Sequence, residues 1–227
     1  MRKYVIAGAP GCGKGTQASL LCDKYDWTHI SVGDIFRWHI KARTKLGARI
    51  KRIVDFGRLV PDDVVDEVVR TRLDEHDWNY GFVLDGFPRN RPQAEFFLES
   101  YDIDAVILLN VTDEAVMERV LARRLCEECG LDYNLIHHRP EVEDVCDVCD
   151  AELIARPDDF EEAIRVRVAD YHTQTEPTVE LFLQKELVVE IDGIQAIPDV
   201  HKEICQKLAL PEVTEPARSG PQASPLA

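Results

Sequence analysis

The stretch Tyr4-Val5-Ile6-Ala7-Gly8-Ala9-Pro10-Gly11-Cys12-Gly13-Lys14-Gly15-Thr16-Gln17-Ala18-Ser19-Leu20-Leu21-Cys22 decides how this chain is read. Its apolar start predicts a strand, its glycines a tight loop, and the segment from Ala18 a helix. Gly8, Gly11, Gly13 and Gly15 let the backbone bend until several N–H groups face one hollow. The N-terminus of the following helix adds its partial positive charge. A polyphosphate fits that hollow. Lys14 is spaced to reach the transferred phosphate, and the Thr16 hydroxyl to lie near a magnesium ion held by those phosphates. The strict phosphate-loop pattern has Ser or Thr directly after the Lys. Here Gly15 intervenes and Thr16 follows.

The 227 residues can bury a substantial core as one domain with sizeable insertions. Lys and Arg number 27 against 42 Asp and Glu, a formal charge of −15. Such a balance argues against nucleic acid or an anionic membrane as the main partner. A polyanion can be held only where the arginines gather. Met1-Arg2-Lys3-Tyr4 leads straight into the first strand, with no apolar secretory segment and no bilayer-length run, so a cytoplasmic address is expected. The seven cysteines are then thiols or metal ligands rather than disulfides.

Gly81-Phe82-Val83-Leu84-Asp85-Gly86-Phe87-Pro88-Arg89-Asn90-Arg91-Pro92-Gln93-Ala94 is the second strong signal. Phe82 to Leu84 reads as a buried strand with Asp85 at its C-terminal end, where parallel sheets carry ligand chemistry. A carboxylate there can hold magnesium through water, opposite the glycine loop. Arg89, in the turn after Pro88, can fork onto a phosphate with two parallel hydrogen bonds.

The remaining elements follow from local signals. Ser31 predicts the start of a helix carrying Arg37, Gly47 to Gly57 a basic helix, and Pro61 with Asp62 and Asp63 another. On that last one Val64, Val65, Val68, Val69 and Leu73 share a core face. Ala105 to Val111 reads as a central parallel strand, and Thr112 as the cap of a helix with Val116, Val120 and Leu121 inward. Arg119 and Arg123 are expected one turn apart on another face of it, repelling each other unless an anion bridges them. Asp159 and Glu162 form a capping-box pattern for a helix with Arg165 and Arg167. Pro177 predicts a further helix, Leu187 to Ile191 the last strand, and Pro198 a closing helix to about Leu210. From Pro211 the composition predicts a disordered tail. Cys12 is expected to be open to thiol reagents, Cys22 and Cys205 to be small core residues.

Cys126-Glu127-Glu128-Cys129 and Cys146-Asp147-Val148-Cys149 are two Cys-x-x-Cys knuckles sixteen residues apart. That spacing predicts a tetrahedral four-thiolate zinc site. The segment between them holds too few large apolar residues for a core of its own, so the zinc is expected to act as a structural cross-link. His137 and His138 are expected to be exposed rather than ligands.

The glycine loop with its extra Gly15, the segment Asp85 to Gln93 and the paired cysteines together resemble the adenylate kinases, nucleoside monophosphate kinases, in their zinc-containing long-lid form. The likeness covers roughly residues 1–210. It implies a P-loop NTPase-type three-layer α/β fold with a central parallel sheet. The core would comprise 1–30, 61–121 and 160–210, the acceptor-binding insertion 31–60, the zinc-binding lid 122–159 and the tail 211–227. It implies a monomer that reversibly transfers a phosphoryl group from MgATP to AMP, giving two ADP.

By this resemblance ATP is held by Gly11, Cys12, Gly13, Lys14, Gly15, Thr16, Arg119, Arg123, Asp132, Tyr133 and the backbone near Gln195. AMP is held by Val32, Arg37, the backbone of Arg58, Leu59 and Val60, then Gly86, Phe87, Pro88, Arg89 and Gln93, and by Arg156 and Arg167 once the lid closes. Lys14, Arg89, Arg123, Arg156 and Arg167 neutralise charge on the moving phosphoryl group. Val32 stands where the family usually has a Thr that helps read the acceptor base, which leaves GMP, CMP or UMP open. Gln93 favours AMP, since the pyrimidine-specific relatives typically carry Asn near there. A switch-type NTPase without an acceptor would share the loop, but the chain has no Asn-Lys-x-Asp guanine motif.

Overall fold

In the computed structural model, which describes residues 2–213, the chain alternates strands and helices from its start. In order these are β1 (Lys3–Gly8), α1 (Lys14–Tyr25), β2 (Thr28–Ser31), α2 (Val32–Lys41), α3 (Lys45–Asp55), α4 (Asp62–Asp74), β3 (Phe82–Asp85), α5 (Arg91–Ser100), β4 (Ala105–Asn110) and α6 (Asp113–Leu121). Three short strands follow, β5 (Arg123–Cys126), β6 (Asp132–Asn134) and β7 (Leu153–Ile154), then α7 (Glu161–Asp170), a π-turn (Tyr171–Thr175), α8 (Glu176–Leu183), β8 (Val188–Asp192) and α9 (Ile197–Lys207). The expected tail lies, from Thr214 onward, outside the described residues.

Five strands form one parallel sheet in the order β2-β3-β1-β4-β8. Parallel strands buried on both faces need apolar side chains on both, and the strand sequences supply them. Val5, Ile30, Phe82, Leu84 and Val106 turn to one face, packed with Val64, Val65, Val69, Phe97 and Phe182 from the helices. Tyr4, Ile6, Val83, Ile107 and Leu109 turn to the other, against Ala18, Leu21, Val200 and Ile204 of α1 and α9. Full burial of each such side chain stabilises by about 1.5–3 kcal/mol, so these two layers carry the fold. The chain leaves β1 for β2 and β3 on one side and later crosses to β4 and β8 on the other. The C-terminal edge of β1 is therefore the switch point, where such sheets bind ligands.

The caps expected of Ser31 and Thr112 are met, and two more are found. The side chains of Ser31, Thr44, Asn90 and Thr112 each accept the backbone N–H of the third residue on, closing the N-termini of α2, α3, α5 and α6. Pro61 sits at the N-cap of α4 rather than in its first turn. The lid sequence forms an antiparallel three-stranded sheet in the order β6-β5-β7 around Cys126, Tyr133, Cys146 and Leu153.

Three further expectations are corrected. Arg123 is not on α6, which ends at Leu121; it opens β5, because residue 122 closes the helix and the lid sheet begins at once. Leu121 is 45% exposed, one residue past the Val116 and Val120 stripe. Asp159 does not cap α7, whose N-cap is Phe160 with no side-chain bond, since the carboxylate is drawn to two arginines instead. Pro177 stands in the first turn of α8, as expected, and that helix follows α7 directly through the π-turn.

His172 in that turn lies 2.7 Å from Glu176 Oε2 and 2.9 Å from Asp113 Oδ1, tying the turn to α6. Its bonds to Glu176 and Asp113 raise its pKa above the ordinary histidine value. A raised folded-state pKa means the clamp contributes fully below about pH 6.5 and is lost as pH rises through the folded value. His172→Gln is therefore expected to lower the melting temperature by at most a few degrees, and more at pH 6 than at pH 9. An equal loss at both pH values in calorimetric melts would rule the charged clamp out.

Candidate active site

The loop between β1 and α1 is built by its glycines. Gly11 and Gly13 have φ of 74° and 103°, and a Cβ on Gly11 would meet Val120 Cγ2 at 2.3 Å. Only glycine fits there. A Cβ added at Gly13 would meet nothing within 4 Å, which marks open space in front of the α1 N-terminus. Lys14 Nζ reaches back over the loop, donating to Gly8 O at 2.9 Å and Ala9 O at 2.7 Å. Cys12 is the expected reactive thiol, but it is only 2% exposed and burial pushes its pKa up, so thiol reagents meet a shielded, neutral group.

Asp85 ends β3, beside β1, and its Oδ2 lies 3.8 Å from where a Cβ on Gly15 would sit. It thus faces the loop as the motif implied. Burial acts to raise its pKa, but His29 and the charge of Lys14 outweigh that and hold the carboxyl below its ordinary value. His29 Nε2 is 3.7 Å from Asp85 Oδ2, an approach that single-residue reading missed. Its signal is position alone, two residues before the end of β2. An ionised carboxylate set against a phosphate-binding hollow fits the water-mediated magnesium site expected of Asp85 and Thr16.

Across the cleft the arginines converge. Arg123, from β5, and Arg167, from α7, share Asp159: Arg123 Nη2 is 2.6 Å and Arg167 Nη2 2.9 Å from its Oδ1. Arg167 also holds Asp158 at 2.9 Å, Arg156 donates to both oxygens of Asp132 at 2.7 and 2.8 Å, and Arg37 is paired with Asp34. Arg89 has no carboxylate partner among the described residues; its Nε donates to Gly86 O at 2.8 Å. Burial, together with Arg37 and Arg167, pulls the Arg89 pKa below the usual guanidinium value, and burial with Arg37 and Arg123 does the same to Arg156. Both shifts record burial first and the neighbouring guanidiniums second. Moreover, Arg156 Nε and Arg167 Nε are buried donors with no acceptor, which a phosphate oxygen would satisfy.

Other expected residues take different positions. Arg119 donates to Gly193 O at 2.9 Å, joining α6 to the turn that precedes Gln195. Gln195 itself bonds Asp192 O and Glu203. Tyr133 is 2% exposed and its ring lies in the lid core, so its hydroxyl serves Cys146 and Asp147. Val32 is 2% exposed and faces the core. Gln93 is engaged at both ends: its Oε1 accepts the Arg89 N–H at 2.8 Å and its Nε2 donates to Asp62 at 2.7 Å. Arg58 is exposed, Val60 buried, and Phe87 and Pro88 are buried beside Gly86. Lys41 Nζ, at the end of α2, donates to Glu127 O, just after β5, at 2.6 Å.

The four lid cysteines are brought together. Their sulfurs all lie within 4.8 Å of one another, with Cys126 and Cys149 at 3.3 Å and Cys129 and Cys146 at 3.5 Å. Tetrahedral zinc with sulfurs at about 2.3 Å needs sulfur pairs about 3.8 Å apart, so the cluster fits that ion. Burial disfavours a Cys146 thiolate, but the Tyr133 hydroxyl and the Val148 and Cys149 N–H groups bring its pKa down to about 6. His137 and His138 are exposed, as expected.

Guanidiniums supplied from both sides of a phosphate-binding loop are what a transfer between two polyanions requires, because neither nucleotide could otherwise approach the other. The fold and site are those of a nucleoside monophosphate kinase. The family model described as Adenylate kinase matches residues 6–187. The chain is 41% identical to an adenylate kinase of Acetivibrio thermocellus over 212 residues, 91% of this chain and 98% of that one. It is 43% identical to one of Caldicellulosiruptor bescii over 213 residues, covering 92% and 99%, and 41% identical to one of Clostridium novyi over 207 residues, covering 89% and 96%. The chain belongs to the adenylate kinase family.

Proposed function

We propose that this chain catalyses reversible transfer of the terminal phosphoryl group of MgATP to AMP, giving two ADP, in the cleft between the glycine loop and Arg89. The observation that carries the reading is the gathering of arginines there, with Arg89 unpaired by any described carboxylate and two buried guanidinium Nε–H groups lacking acceptors. The AMP phosphate is already an anion near neutral pH, so no side chain has to remove a proton from the nucleophile. What the protein must supply is positive charge and exclusion of water.

In this reading Gly11, Gly13, Lys14 and Gly15 bind the ATP phosphates, and Arg37 and Arg89 hold the acceptor phosphate. Arg123, Arg156 and Arg167 release their aspartates to meet the phosphoryl group as it moves. Their aspartates keep these cations desolvated and oriented beforehand, which lowers the reorganisation needed when phosphate replaces carboxylate. Magnesium, held through Asp85 and Thr16, supplies charge neutralisation at the phosphate oxygens when bound. Residues 31–60 and 122–159 are the two covers, and the Lys41 to Glu127 contact supports their meeting over the cleft. Closure suppresses hydrolysis by keeping water from the phosphoryl group. The lid cysteines are read as a structural zinc site and the chain as a monomer, which size-exclusion chromatography checks.

A second acceptor base stays in view because of two side chains. Val32 offers no hydroxyl and Gln93 would have to exchange its Arg89 and Asp62 bonds to read a base. Product analysis with MgATP and, separately, AMP, GMP, CMP, UMP or no acceptor tests both readings. Strong ADP formation with AMP alone is expected. Preference for another monophosphate would move the substrate while keeping the mechanism, and acceptor-independent hydrolysis would overturn the kinase reading.

A further inference from the structure

A π-turn adds one residue to a helical turn and rotates everything after it; such turns survive where contacts outside the helix hold them. In this chain the turn Tyr171–Thr175 has such a contact at its end. Thr175 Oγ1 donates to Arg89 O at 2.7 Å, across 86 residues of sequence. Two other groups of Arg89 are also tied down, its N–H to Gln93 Oε1 at 2.8 Å and its Nε to Gly86 O at 2.8 Å. Its peptide is therefore clamped at both ends, by α5 on one side and by the α7–α8 helix on the other. Arg167 stands on that same helix, two turns before Thr175.

We propose that Thr175 is a positioning residue: its single hydroxyl bond sets the spacing of the Arg89 guanidinium, which holds the acceptor phosphate, relative to Arg167, which meets the phosphoryl group as it moves. The inference rests on the reading of Arg89 and Arg167 as phosphate ligands. Arg89 is the cation without a carboxylate partner, so nothing but its backbone clamp and the Gly86 carbonyl aims it. Loss of the Thr175 bond frees one end of the clamp. A misplacement of about 1 Å at a phosphate ligand is enough to cost one to two orders of magnitude in rate.

The test is steady-state kinetics of Thr175→Val, Thr175→Ser, Arg89→Ala and the Arg89→Ala/Thr175→Val pair, with thermal melts of each. Thr175→Val keeps the shape and removes the donor. It is expected to raise KM for AMP about tenfold, to leave KM for ATP within about twofold, and to melt within a few degrees of the parent. Thr175→Ser restores the hydroxyl and is expected to restore KM for AMP. In the Arg89→Ala background Thr175→Val is expected to add nothing, because the residue it aims is gone.

An unchanged KM for AMP in Thr175→Val, no rescue by Ser, or additive losses in the pair would each overturn the positioning role. If Thr175→Val does not fold, Thr175→Ala carries the same expectations. Should Arg89→Ala match the parent, the phosphate-ligand reading fails and takes this inference with it. A crippled Arg89→Ala beside a fully active Thr175→Val sinks the inference alone.

Discussion

Lys14→Met lowers kcat by roughly a hundred- to a thousandfold while the protein stays folded: that is the expected result of removing the one ammonium in the glycine loop. The comparison of magnitudes decides it. Lys14 Nζ bonds Gly8 O and Ala9 O, and losing these contacts costs about 1 kcal/mol each, a minor part of a stability of about 5–15 kcal/mol. A thousandfold loss of rate corresponds to about 4 kcal/mol on the barrier. Methionine has nearly the length of lysine and fills the same half-buried path, so the glycine hollow keeps its shape. The parent and the variant are compared by circular dichroism, thermal melts and turnover with saturating MgATP and AMP. Turnover within a few-fold of the parent would remove Lys14 from the phosphoryl-transfer machinery.

Cys146→Ser, or prolonged chelation of the parent, is expected to lower the melting temperature by roughly 5–15 °C and to release bound metal. Cys126 and Cys149 are joined through the cluster across a loop of lid sequence, and closing a loop of that size is worth about 3 kcal/mol in chain entropy. In a domain of this length each kcal/mol shifts the melt by about 2–4 °C. The lid has little else to hold it, since its described core is Cys126, Tyr133, Cys146 and Leu153 with Ala151 packed on them. Two of those four core positions are themselves ligands. Restoring zinc to the chelated parent is expected to restore the melt, but not that of Cys146→Ser. Identical melts with and without metal would refute a structural ion. Because Arg123 and Asp132 lie on lid strands, activity is expected to fall alongside stability.

Much of the site was legible in the chain because its chemistry is local. A glycine loop between a strand and a helix makes an anion hollow from consecutive residues, and Asp85 at a strand end needs only that strand to be placed. The paired knuckles were readable for the same reason, since spacing alone brings each pair to one side of an ion. What was not legible is how the cations are held. Arg123 looked like a helix residue because its sequence continues the periodicity of α6, yet the lid sheet claims it. Asp159 looked like a cap because it stands at the right offset from Glu162, yet two arginines 36 and 8 residues away compete for it and win. A charge-assisted pair is worth more than a neutral cap, and sequence spacing does not weigh the two.

Sequence by itself therefore determined the layered α/β order, the glycine loop between β1 and α1 and the cysteine cluster, all of which follow from residues near one another in the chain. Only the tertiary structure decided that Cys12 is shielded, that Gln93 spends its amide on Arg89 and Asp62, and that Thr175 ties the helix of Arg167 to the backbone of Arg89. The physical reason is range: hydrogen bonds and ion pairs act over about 3–4 Å in space, whatever their separation in sequence, and only the packed sheet brings these groups within reach.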